Sequence, residues 1–415
     1  MSTLLVDNVV DQHLEEAAFL AGLRDYAVRA PHYDLKHLQE LEQRLDAHLD
    51  GLRIAGPAAL QRLATQLHPH AGGELFVYAV LILEQGDTQA YAELLRQHGN
   101  GADAERALAS ALGWLAWAQV GSLIERMLAS ADPLARRLGL AASGMHRQDP
   151  GPALLAALAH ADPTVLARAA RCAGELRRHD LMAEVRRYRT HEDPALRFWS
   201  TWATAQMGDE EALPVLRQFA EQSGPWQLRA LPVLLAWQPR ETSMAWIRHL
   251  TQEPAHRRLA IRATGLFGDP QTVPWLIRQM QELPCARAAG EAFSLITGAD
   301  LAALDLELAT YPDYDAGPTD DPADPNVEMD PDSDLAWPDP LRVAAWWQDN
   351  SRRFSPGVAH LCGAVPSEQQ CLNVLRTGWQ RQRLAAACLL ARLQPKQMLF
   401  PCAAPVHRQK ALLPG

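Results

Sequence analysis

DPLARRLGLAASG (132–144), DPTVLARAARCAG (162–174), DPALRFWSTWATA (193–205), GPWQLRALPVLLA (224–236) and EPAHRRLAIRATG (253–265) are one pattern written five times. Each opens on an acid, or once a glycine, followed by proline, and the openings fall 30, 31, 31 and 29 residues apart. An aspartate side chain accepts from the free N–H groups of a first helical turn, and proline suits the first helical position, where no donor is needed. Each opening therefore predicts a helix start. An arginine follows in every copy (Arg137, Arg168, Arg197, Arg229, Arg258), and a small residue closes it (Gly144, Gly174, Ala205, Ala236, Gly265). A small residue at a fixed helical position lets a neighbouring helix approach closely, while the apolar residues between keep helical spacing.

A second set of starts interleaves with the first, at Asp149-Pro150, Asp180, Gly208-Asp209, Pro239 and Gly268-Asp269-Pro270. Two helices of ~12 residues per unit are expected, and such a pair buries its apolar face only by stacking on its neighbours. The fold predicted is all-α: an α-solenoid of about thirty residues per helix pair.

Helical pairs of this length, with an acid-Pro start, a mid-helix Arg and a late Gly or Ala, resemble the short HEAT-like repeats first described in phycobilin lyases. The flanking segments AHLDGLRIAG (47–56), LFGDPQTVPWLI (266–277), EAFSLITGADL (291–301), the acidic stretch ending in WPDP and AAWW, and GWQRQRLAAACLLA (378–391) look like a family of HEAT-repeat proteins encoded in bacterial type VI secretion gene clusters. That resemblance covers nearly the whole chain. It implies a non-enzymatic binding protein, with neutralisation of a cognate toxin as the leading expectation. An adaptor or chaperone that holds an effector for loading on the secretion spike is the alternative. An enzyme using the concave groove, lyase-like or hydroxylase-like, is the reading from another class.

Working outward, residues 1–56 read as an N-terminal helical cap, with Leu35, Leu38, Leu41, Leu45, Leu49 and Leu52 on one helical face. Residues 57–130 read as irregular helical pairs, 131–310 as the regular array, 311–340 as an acidic Pro-rich insertion and 341–415 as a C-terminal helical cap and tail. The insertion carries the charge asymmetry. The formal net charge is −10, and residues 311–340 hold ten acids and no Lys or Arg, so the remaining acids equal the 39 bases. Seven prolines in those thirty residues exclude a regular helix.

The insertion is the first candidate binding element, through Asp313, Asp315, Asp320, Asp321, Asp324, Glu328, Asp330, Asp332 and Asp334. Such a run attracts a protein with a basic surface and repels nucleic acid phosphates. Trp337 is the expected anchor, an aromatic amid acids that either tucks onto the solenoid or enters a partner pocket. Most of the other tryptophans, twelve in all, read as packing. Arg217, Arg248 and Arg278, one per second helix, are the expected contacts on the groove side, whereas the arginines of the first helices read as structural.

Several chemistries find no support in the sequence. Asp330, Asp332 and Asp334 alternate as in a calcium loop, but the sixth place is Leu335 and the twelfth Leu341. The six cysteines form no CxxC pair and read as buried thiols, so no metal or other cofactor is expected. His191-Glu192 is a single dyad; His13 with Glu15 and Glu16, and His32 with Asp34, read as surface neighbours. There is no GxSxG, HExxH or P-loop, and no enzyme activity is expected. No apolar run is long enough to span a membrane and the N-terminus lacks a cationic start, so a cytoplasmic location is expected.

Overall fold

The computed structural model describes residues 7–67, 72–314, 316–317, 323 and 329–413. It is an all-α solenoid with no strand among the described residues, which hold only the isolated bridges Glu307–Pro338 and Leu361–Ala364. The chain forms two compact units. Unit 1 comprises residues 1–29, 33–207 and 396–415, and unit 2 comprises 30–32 and 208–395.

Unit 1 begins with α1 (Asp7–Ala27), α2 (Leu35–Ala55), α3 (Pro57–Gln66), α4 (Gly72–Glu84), α5 (Thr88–His98), α6 (Ala102–Trp114) and α7 (Trp117–Leu128). The expected leucine face of α2 is buried from Leu35 to Leu52, and the apolar run of α4 is buried apart from Tyr78. The regular array then gives α8 (Pro133–His146), α9 (Pro152–Ala157), α10 (Pro163–Leu176), α11 (Met182–Arg186) and α12 (Pro194–Gln206). Helix α4 packs on α6, α6 on α8, α8 on α10 and α10 on α12, so the first helices stack in chain order.

The acid-proline reading holds where the acid is aspartate. Asp132, Asp162 and Asp193 each accept from backbone N–H groups of the following turn, with proline in that turn. Replacing Asp162 with alanine is expected to lower stability by about 1 kcal/mol, because it frees the Thr164 amide held at 2.8 Å; urea denaturation checks this. At the glycine copy there is no capping side chain and the helix starts later, at Gln227. At Glu253 the chain makes a 3-10 turn before the helix begins at Arg257.

Unit 2 continues with α13 (Leu213–Glu221), α14 (Gln227–Trp237), α15 (Arg240–Gln252), α16 (Arg257–Phe267), α17 (Val273–Gln279), α18 (Leu283–Thr297), α19 (Pro340–Asn350), α20 (Glu368–Thr377) and α21 (Gln380–Leu393). Its core includes Phe293, fully buried with Trp346 edge-on at 5.5 Å. Helix α22 (Val406–Leu412) belongs to unit 1.

Two expectations change. The second helices are uneven: α9 and α11 have 6 and 5 residues, against 13 in α15. Pro150, Gly151 and Pro152 delay α9, and a 3-10 turn over His179–Leu181 takes up the start of α11. The division read along the sequence also differs from the compact units, since their boundary falls inside the regular array and residues 396–415 group with the first repeats instead of forming one cap with 341–395.

Candidate partner-binding surfaces

Beyond α18 the chain turns at Gly298 and returns through the acidic segment, whose end is pinned by two backbone bonds. The Leu308 amide donates to Trp337 O at 2.9 Å, and the Asp339 amide to Leu306 O at 2.8 Å. This places Asp330 against Arg287, and Asp332 against Arg258, with Arg262 3.6 Å away. The Asp332 side chain is only 3% exposed. Burial opposes the charge on Asp330, yet the Asp332 amide and Arg287 prevail and hold its carboxyl below the usual range.

Trp337 is 6% exposed, with the Arg287 guanidinium 4.5 Å from its ring centroid and Tyr314 edge-on at 6.1 Å. Asp330, Asp332 and Trp337 are thus internal contacts and not partner contacts. A buried guanidinium needs a carboxylate more than a solvated segment needs freedom, and the indole gains by covering apolar surface. Asp313 is exposed; Asp334 is half-buried, and burial raises its carboxyl despite Arg381. Asp315, Asp320, Asp321, Asp324 and Glu328 lie outside the described residues.

Besides Arg258, three of the repeat arginines make contacts within the fold. Arg137 pairs with Glu105 and donates to Thr164, Arg168 pairs with Glu175, and Arg197 donates to His191 O. On the second helices, Arg217 donates to Gln238 Oε1 at 2.6 Å and lies 5.9 Å from the Trp246 ring centroid, so it is held in place and does not offer a free guanidinium. Arg248 on α15 and Arg278 on α17 are exposed, one repeat apart, and their side chains have no ion pair among the described residues.

A cavity of about 230 Å³ in unit 2 is walled by Leu235, Leu266, Phe267 and Leu389. Its polar rim is already engaged: Arg240 donates to Phe267 O and Asp269, Arg392 to Ala236 O, and His360 Nδ1 meets Val358 O. His191 takes the Asp193 amide on Nδ1 at 3.0 Å, as His160 takes that of Asp162, which makes both histidines turn braces. The sequence reading passed over this His-x-Asp-Pro recurrence. No group of three or more His, Cys, Asp or Glu side chains stands where it could hold a metal ion among the described residues, and no helix there is long and apolar enough to cross a membrane.

Residues 151–233 match the family model of HEAT repeats. The array is HEAT-like. The match spans α9 to α13 and most of α14, so it takes in the copies opening at Asp162, Asp193 and Gly224. Repeats of this kind commonly serve as scaffolds for protein interaction, because stacked units present an extended surface. No curated protein and no solved structure matches the chain.

Proposed function

We propose that this chain is a non-enzymatic binding protein of a bacterial type VI secretion locus that grips and neutralises a cognate toxin. The observation that carries the binding part is the pair Arg248 and Arg278: equivalent positions on successive second helices, exposed and not consumed by ion pairing among the described residues. The secretion part rests on the resemblance of the five flanking segments. Composition alone suggested a basic partner surface, but two of the acids are engaged by Arg258, Arg262 and Arg287. Asp313 stays exposed and keeps the match to a basic partner surface, and Arg248 and Arg278 add a match to an acidic patch.

Co-expression with the toxin domain encoded beside it is the test. Cells carrying both are expected to survive, and the R248E/R278E double variant is expected to bind the toxin at least about tenfold more weakly while keeping its helical spectrum. A chain required for export that gives no rescue overturns neutralisation in favour of an effector adaptor. Unchanged affinity in the double variant removes the two arginines from the interface.

A further inference from the structure

First helices in this array tend to end on a left-handed residue. In unit 2 those places hold glycine, at Gly268 (φ 75°) and Gly298 (φ 72°). Glycine is required at Gly268, where an added Cβ would lie 2.3 Å from His360 O. In unit 1 the same places hold Arg147 (φ 55°) and Arg177 (φ 53°). A residue with a Cβ adopts that conformation at a cost in free energy, so its side chain must return something.

Both side chains reach residues 396–413. Arg147 Nε donates to Leu399 O at 2.7 Å, and Arg177 Nη1 to Gln397 O at 3.3 Å, while the Leu399 amide donates to Glu175 O at 3.0 Å. Further along, Arg24 donates to Ala403 O at 3.1 Å and Glu42 accepts the Val406 amide at 2.7 Å. Arg408 meets His146 Nδ1 at 2.5 Å and donates to Gly113 O. Cys402, Ala404 and Val406 are buried, and the fully buried Gln409 braces the peptide from within by donating to Cys402 O and Ala404 O. Pro395 to Met398, by contrast, are all exposed.

We propose that unit 1 contains a groove for a peptide that is non-helical as far as Pro405 and closes with the short helix α22, that residues 396–413 are the strap resident in it, and that the same segment from a second copy of the chain fits it. Recognition is by main-chain capture at Gln397 and Leu399, apolar burial from Cys402 to Val406 and a guanidinium at Arg408. Exchange between copies follows from the exposed connection that precedes the bound part.

The test uses the full chain with a protease recognition sequence inserted between Pro395 and Lys396, cleaved after folding, and a labelled synthetic peptide of residues 396–413. The nicked protein is expected to retain its strap in one-to-one ratio by native mass spectrometry and to exchange it for labelled peptide. The Arg147→Ala/Arg177→Ala variant is expected to exchange at least about tenfold faster with an unchanged helical spectrum. Two results overturn the proposal: a strap that leaves on cleavage while amide protection of α8 and α10 is unaltered, or a labelled peptide that never enters. Exchange of the double variant at the parent rate overturns the role given to the two arginines.

Discussion

Replacing Glu175 with alanine is expected to destabilise unit 1 by about 3–5 kcal/mol, the cost of leaving a buried charge without its partner. Glu175 Oε2 accepts from Arg168 Nη2 at 2.8 Å and Oε1 from Arg171 Nε at 2.9 Å; the Glu175 and Arg168 side chains are 10% and 11% exposed. Burial works to raise the carboxyl, but Arg168, Arg171 and Arg147 outweigh it and hold it at about 2, against an ordinary 4.5. A depressed folded-state value means that this carboxylate's contribution is complete above the ordinary value and is lost as pH falls towards 2. Urea denaturation at neutral pH and at successively lower pH checks both points. The parent should lose stability between 4.5 and 2, and the variant should start lower and lose less over that interval. Equal stability of parent and variant at neutral pH would mean that the arginines find other acceptors.

The same cluster marks what sequence reading reaches. The first helices were legible because their signals are local: aspartate two or three residues before the amide it caps, and a small residue one helix length later. Glutamate at 253 and glycine at 224 sit in the same frame but make no side-chain cap, which is why those two helices begin late. The short second helices escaped because interrupting prolines and 3-10 turns act over a few residues, a scale that a thirty-residue period does not register.

Long-range pairing was out of reach for a different reason. Arg147 and Leu399 are separated by 252 residues, and Arg287 and Asp330 by 43, so nothing in the local pattern joins them. The acidic run read as solvated because composition reports charge and not its partners. Asp330, Asp332 and Trp337 are folded down by arginines contributed by two successive first helices, α16 and α18. Helical phase marked Arg217, Arg248 and Arg278 alike, but only Arg248 and Arg278 are exposed, because Gln238 and the Trp246 ring hold Arg217, and those neighbours lie 21 and 29 residues further along the chain.

Gly174→Val is expected to cost about 3 kcal/mol, at the upper end for overpacking a tightly packed helix pair. A Cβ at Gly174 would lie 2.7 Å from both Cα and Cβ of Ala203 and 2.9 Å from the Trp202 ring. The Ala203 Cα is backbone of α12 and cannot rotate away, so α10 and α12 must separate. A Cβ added at Gly22, in the middle of α1, would meet nothing within 4 Å, and Gly22→Ala should instead stabilise by roughly 0.5–1 kcal/mol through helix propensity. The two substitutions therefore carry opposite signs although both remove a helical glycine. Adding Ala203→Gly to Gly174→Val removes the clash with the Ala203 methyl but leaves the one with the α12 backbone, so it should restore only part of the loss. Thermal melts of the three variants decide the matter: a neutral Gly174→Val would show that α10 and α12 do not stack through this glycine, and full rescue would show that the clash is with a side chain and not with the helix itself.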